Sequence, residues 1–197
     1  GRRCDEQIDL LRAHWTQDLV TFHGRWHTVT DAGLNPMPVQ QPIPLWIGGG
    51  PGSVGSSTAA LSDRVLTRIA EKADGWFPTV GLKDGVPKAI GRLHEQMRGI
   101  GRDSLEVGIE GSVPIAKGPP EQWLQHIAEW KEAGASHVSV NSTGLGLRSP
   151  DDHIDALRRF KTLVISSAAS WEPSEETGTP LGSSSRIQTG RGVPQTV

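Results

Sequence analysis

The sequence predicts an α/β fold of parallel strands, on three observations. Short apolar segments recur at 44–49, 74–80, 106–115 and 136–142, with centres about 30 residues apart, the length of one strand–helix unit. Stretches of helical period fill the intervals between them. Helix-starting and helix-stopping residues stand where those stretches begin and end. Regular alternation of strand and crossover helix gives a parallel sheet covered by helices.

The first element is a helix over 3–15, in which Cys4, Ile8, Leu11 and Trp15 recur at spacings of four, three and four and form one apolar stripe. The next segment, "TQDLVTFHGRWHTVTDAGLNPMPVQQPIP", reads as one long loop because Pro, Gly and Asn interrupt every period. A connector of that length is commonly functional or disordered. The first strand follows at "PLWIGG", then a helix at "TAALSDRVLTRIAEKA" with Leu61, Val65 and Ile69 on one face. A second strand at "DGWFPTV" leads to "PKAIGRLHEQMRGIG", which aligns Ile90, Leu93 and Met97.

The third strand, "EVGIEGSVPI", precedes "PPEQWLQHIAEWKEAGA", whose Trp123, Leu124, Ile127 and Trp130 share a stripe between an opening proline and Gly134. The fourth strand, "SHVSVNS", is followed by "SPDDHIDALRRFKTLV". There Ser149 is the expected N-cap and Pro150 the first helical residue, with acids in the first turn. Arg158, Arg159 and Lys161 read as a complement to the dipole at that helix's C-terminus, not as a nucleic-acid patch. Residues 1–165 therefore form the folded domain. The Ser/Thr/Gly/Pro-rich segment 166–197 shows no period, buries too little apolar surface to offset its ordering entropy, and is expected to be a disordered tail.

Bulk properties exclude several function classes. A net charge of −2 leaves no basic surplus to attract nucleic acid or an anionic membrane surface. The apolar runs are too short for a membrane span, and no secretory apolar region stands at the start. Cys4 is the single cysteine, which rules out an internal disulfide and suits a reducing cytoplasm.

The glycine stretch "PIPLWIGGGPGSVGSS" is the strongest local signal. A Walker A loop fails because Ser56 stands where the lysine is needed. Gly50, Gly52 and Gly55 match the Rossmann spacing, but Pro51 removes an N–H from the turn, and the nearest acid, Asp74, lies at the wrong end of the next strand. A third reading keeps only the physics: glycines directly after a strand let the backbone approach an anion at the rim where parallel barrels hold ligands. A plain flexible loop is the bland alternative.

Taken in order, "DEQIDLLRAHWT", "FHGRWH", "GLNPMPVQQPIPLWIGG", "DRVLTRIAEKADGWFP", "VGIEG" and "HVSVNS…LRSPDDHIDALRRF" resemble the luciferase-like monooxygenase superfamily. The branch they look most like uses the deazaflavin coenzyme F-420. The resemblance implies a (β/α)8 TIM-type barrel, of which this chain would supply the fourth helix and the last four strand–helix units, a C-terminal half. On that reading the chain is a fragment, as its start at Gly1 also suggests. The implied activity is hydride transfer or monooxygenation on a small organic substrate, with coenzyme F-420 (8-hydroxy-5-deazaflavin) or, alternatively, FMN. A truncated, inactive chain is the third alternative, and a homodimer is the implied assembly. Carried onto this sequence, the cofactor-binding residues would be Ile47, Gly48, Gly49 and Gly50, with Phe77, Pro78 and Thr79 on the next loop.

Two further residues are candidates for catalysis. Glu110, between Gly108 and Gly111 on a strand expected to face inward, offers a carboxylate whose pKa burial would raise; a structural pair with an arginine is the alternative. Asn141 ends the last strand and could orient substrate or ring, or simply begin a turn. His23 and His27 lack the intervening Glu of a zinc helix, so no metal is expected; with Trp26 they could form a lid, and more commonly such residues are plain loop. Trp46 and Trp76 could each face a ring or pack the core. Arg148 could meet a coenzyme's acidic tail.

Overall fold

The computed structural model describes residues 1–49, 62–79 and 81–167. Four parallel strands lie side by side in chain order: β3 (Trp46–Gly48), β4 (Gly75–Phe77), β5 (Gly108–Pro114) and β6 (His137–Asn141). The helices between and after them are α2 (Asp63–Lys72), α3 (Val86–Gly99), α4 (Pro120–Glu132) and α5 (Pro150–Ser167). All four strands fall inside the apolar segments, because short apolar runs ending in Gly or Pro have few other ways to be buried. Segment 50–61, including Gly50, Gly52 and Gly55, and the tail beyond 167 lie outside the described residues.

One face of the sheet carries the core. Trp76 and Ile109 pack with Leu66, Ile69, Leu93 and Met97 from α2 and α3, and Val113 and Ile115 pack with Trp123, Ile127 and Phe160 from α4 and α5. A Cβ at Gly111 would lie 2.4 Å from Trp130, so the bare backbone there is what lets α4 lay its indole on β5. Arg102 donates to the carbonyls of Ala70 and Ala73 at 2.8 Å each and so satisfies the end of α2.

Helix α1 (Arg2–Thr16) joins α2 mainly through charge. Asp5 pairs with Arg68, Asp9 with Lys72, and Arg12 with Asp74. Ile8 is the one residue of the predicted stripe that is buried, while Leu11 stays 43% exposed. The Asp74 carboxylate also accepts the Leu45 N–H at 2.7 Å, so it fastens α1 to the approach to β3. Asp74 is structural, at the N-terminal end of the sheet.

Two expectations need correction. The segment read as one long loop contains an antiparallel hairpin, β1 (Val20–His23) and β2 (Thr28–Ala32). Its turn is not free to act as a simple lid, because the Glu6 carboxylate accepts the N–H groups of Arg25, Trp26 and His27 at 2.7–2.9 Å and contacts His27 Nδ1 at 2.9 Å. Partial burial pulls the Glu6 carboxyl upward, but the Trp26 amide, the His27 ring and the remaining amides outweigh it and hold the group below its ordinary range. Secondly, α5 continues through Ser167, with no stop signal after Lys161, so Arg158, Arg159 and Lys161 sit within the helix and not in its last turn. At its start the expectation holds: Ser149 Oγ accepts the Asp152 N–H at 3.2 Å, and Asp152 accepts the Ser149 N–H at 3.0 Å.

Candidate functional site

Strand register sorts the candidate residues by face. Trp46 pairs with Gly75 and Gly75 with Gly108; Gly48 pairs with Phe77; Glu110 pairs with His137 and Pro114 with Asn141. Paired residues point the same way and side chains alternate along a strand. Trp46, Gly48, Phe77, Glu110, His137 and Asn141 therefore share the face opposite the helix-covered core. Along β5 this face is half-exposed at every second residue, and Phe77 is 39% exposed. Trp76, one residue out of phase, is fully buried on the helix side, so the two strand tryptophans divide between the alternatives.

Trp46 forms the floor of the open face. Its indole lies over the bare backbones of Gly75 and Gly108, where added Cβ atoms would sit 2.1 and 2.8 Å from the ring. Phe77 lies against it with ring centroids 4.9 Å apart, and His137 meets it edge-on at the same distance. The three rings make one apolar ledge spanning the sheet from β3 to β6.

The glycines after β3 differ from each other. Gly48 is exposed, and among the described residues a Cβ there would meet nothing within 4 Å. Gly49 is buried; its N–H donates to the Phe77 carbonyl at 3.1 Å and its carbonyl accepts Trp76 Nε1–H at 2.8 Å. Amides of a parallel strand alternate between its two neighbours. The Gly48 N–H thus points to the free edge of the sheet, and Gly49 spends its own on β4. Pro78 is buried and Thr79 exposed just beyond Phe77. Ile47 is half-buried and packs against the core, so only its backbone is available to a ligand. Gly50 lies outside the described residues.

Glu110 is half-buried, and among the described residues its carboxylate has no hydrogen-bond or ion-pair partner, an arginine included. Asn141 accepts the Thr143 N–H on Oδ1 at 2.8 Å, an Asx turn that ends β6. Four residues of register separate the two candidates, about 13 Å along the strands. They do not form one catalytic pair. Level with Glu110 stands His137, which the sequence reading passed over; its alternation with Ser139 and Asn141 carries the signal. Arg148 uses its backbone N–H on Asp152 at 3.2 Å. Among the described residues no cluster of His, Cys, Asp and Glu could hold a metal ion, and no helix is long and apolar enough to cross a membrane.

A model of the luciferase-like monooxygenase family matches residues 1–167. The chain is 28% identical over 181 residues to the FMNH2-dependent dimethylsulfone monooxygenase of Pseudomonas putida, covering 83% of this chain and 46% of that protein. It is 28% identical over 95 residues to the F-420-dependent glucose-6-phosphate dehydrogenase of Nakamurella multipartita, covering 47% of this chain and 28% of that one. The fold superposes on an F-420-dependent secondary alcohol dehydrogenase with a TM-score of 0.59 at 17% identity, over 81% of this chain and 60% of the other. The chain spans less than half the length of the curated relatives it matches. With that match across every strand of the parallel sheet, the chain belongs to the luciferase-like monooxygenase family.

Proposed function

We propose that this chain carries the coenzyme-holding half of a luciferase-like oxidoreductase that works with the deazaflavin coenzyme F-420 on a small organic substrate. The observation that carries the reading is the side-chain-free backbone of Gly48, which no described atom crowds, beside the Trp46–Phe77 ledge. A flat, fused ring needs an apolar surface to lie on and a backbone without a side chain to approach closely, and the described residues provide both. They suit the ring better than the phosphate, since the Gly49 amide is already bonded within the sheet. The coenzyme's phosphate falls to amides beyond Gly49, with Gly50 the first of them, and Pro78 and Thr79 flank the same rim.

When bound, a coenzyme of this class supplies the hydride chemistry. This chain's residues then have separate tasks. Trp46 and Phe77 exclude water from one side of the ring, and the Ile47 and Gly48 backbone sets its depth. Glu110, on the same face and without a partner among the described residues, accepts a hydrogen bond or proton from the substrate, and Asn141 orients a polar group nearer the rim.

FMN is the second reading, favoured by the longer alignment to the Pseudomonas putida enzyme. Titration with coenzyme F-420 and with FMN, each followed by its own fluorescence, separates the two. Saturable binding of F-420 at micromolar concentration with none of FMN supports the proposal. Saturation by FMN alone replaces it with the second reading, and a flat response to both rejects a coenzyme site on this chain.

A further inference from the structure

We infer that Trp76 is a positioning residue for the coenzyme site, one that acts on the backbone and never touches the ring. The role rests on the coenzyme reading for what Trp76 serves, and on the fold alone for what it holds. Trp76 points into the helix-covered core, where it is fully buried with Leu66, Ile69, Leu93 and Met97. Its ring carries one donor and no acceptor, so burial demands a partner for Nε1–H. That partner is the Gly49 carbonyl, 2.8 Å away and 27 residues back along the chain.

Gly49 stands one residue past the last ladder pair of β3 with β4, Gly48 with Phe77. Both of its polar groups are nonetheless taken by β4. The Phe77 carbonyl accepts its N–H at 3.1 Å, and Trp76 donates to its carbonyl. The N–H and the carbonyl belong to two different peptide planes, one on each side of the Gly49 Cα. Holding both planes fixes φ and ψ of a residue type that has more backbone freedom to lose than any other. Gly48 shares the first of those planes, so the bare backbone beside the Trp46–Phe77 ledge is held at a set depth.

Alternate residues of one short strand therefore divide the work. Phe77 lies on the open face and forms the ledge with Trp46, while Trp76 grips the end of the neighbouring strand from behind. A backbone ordered before the ring arrives need not be ordered by it, and affinity gains what that ordering would cost. Trp123 offers the contrast. It too is buried and donates to a glycine carbonyl, that of Gly118 at 3.0 Å, but it does so in the other core cluster, at the approach to α4.

Trp76→Phe removes the donor but also leaves a void in the core. The decisive variant therefore replaces Trp76 by β-(3-benzothienyl)alanine, which keeps the shape of the ring and lacks the N–H. The same replacement at Trp123 is the control for the loss of a buried bond elsewhere. Two readouts are taken: exchange of the Gly49 amide by NMR, and affinity for coenzyme F-420 by fluorescence. The replacement at 76 should speed Gly49 exchange and weaken F-420 by about tenfold, because the coenzyme must then order backbone it formerly found in place. The replacement at 123 should lower the melting temperature and leave both readouts unchanged. Unchanged Gly49 exchange, unchanged F-420 affinity, or an equal loss of affinity from the Trp123 replacement would each overturn the role of Trp76. An unaltered chain that binds no F-420 would reject the coenzyme reading, and the Gly49 exchange rates would still decide whether Trp76 holds the strand end.

Discussion

The Trp46 indole rests on the bare backbone of Gly75, with the nearest ring atom 2.1 Å from where a Cβ would lie. Gly75→Ala must therefore push the ring off its seat, because the obstacle is an indole already confined by Phe77 and His137. Overpacking of this kind costs about 1–3 kcal/mol. Thermal denaturation should show that loss, and near-ultraviolet circular dichroism should show a changed tryptophan environment. In a Trp46→Ala background the same Gly75 substitution should cost much less; an undiminished cost would mean that the two residues do not oppose each other.

Glu6 ties the hairpin to α1 through three backbone amides and the His27 ring. Glu6→Ala should release the turn while leaving the parallel sheet folded. Hydrogen exchange would read this as faster exchange across residues 20–32 with strands β3 to β6 unchanged. Equal protection in the variant would show that the hairpin is held by other contacts.

Acid should weaken the fold in two stages. Burial, then the Arg98 charge, lowers the His94 pKa from its ordinary 6.5. The unfolded chain binds that proton more readily, so this contribution is present above about pH 6.5 and is lost as the pH falls through the lowered folded value. Asp5 is lowered from 3.8, first by its hydrogen bond from Arg68, and Asp152 from the same value, first by its contact with Ser149. Their contributions hold above about pH 3.8 and disappear below it. Melting temperature measured from pH 8 to pH 3 should therefore step down twice, and His94→Gln should remove the upper step. A flat profile between pH 7 and pH 5 would contradict the assignment to His94.

The parallel sheet was legible because each strand is a short apolar run closed by Gly, Pro or Asn, and each helix a stripe with matching end residues. The hairpin was not, since "VTFH" and "TVTDA" are short and weakly patterned, and the anchor of their turn, Glu6, lies 20 residues away from Trp26. Strand parity alone could separate Trp46 from Trp76. The pairing of Glu110 with His137 could not be read, because it depends on the register between β5 and β6, which chain order leaves open. The same holds for Gly49, whose amide looks available in the sequence and is bonded to Phe77 in the fold.

The central claim is that the bare backbone at Gly48 is where a coenzyme ring approaches. Among the described residues a Cβ there meets no atom within 4 Å, so Gly48→Val should fold normally while filling the space the ring would occupy. Fluorescence titration with coenzyme F-420, alongside a melting curve of each protein, tests this directly. At least a tenfold loss of affinity is expected, with the melting temperature nearly unchanged. Equal affinity in a folded Gly48→Val protein would contradict it.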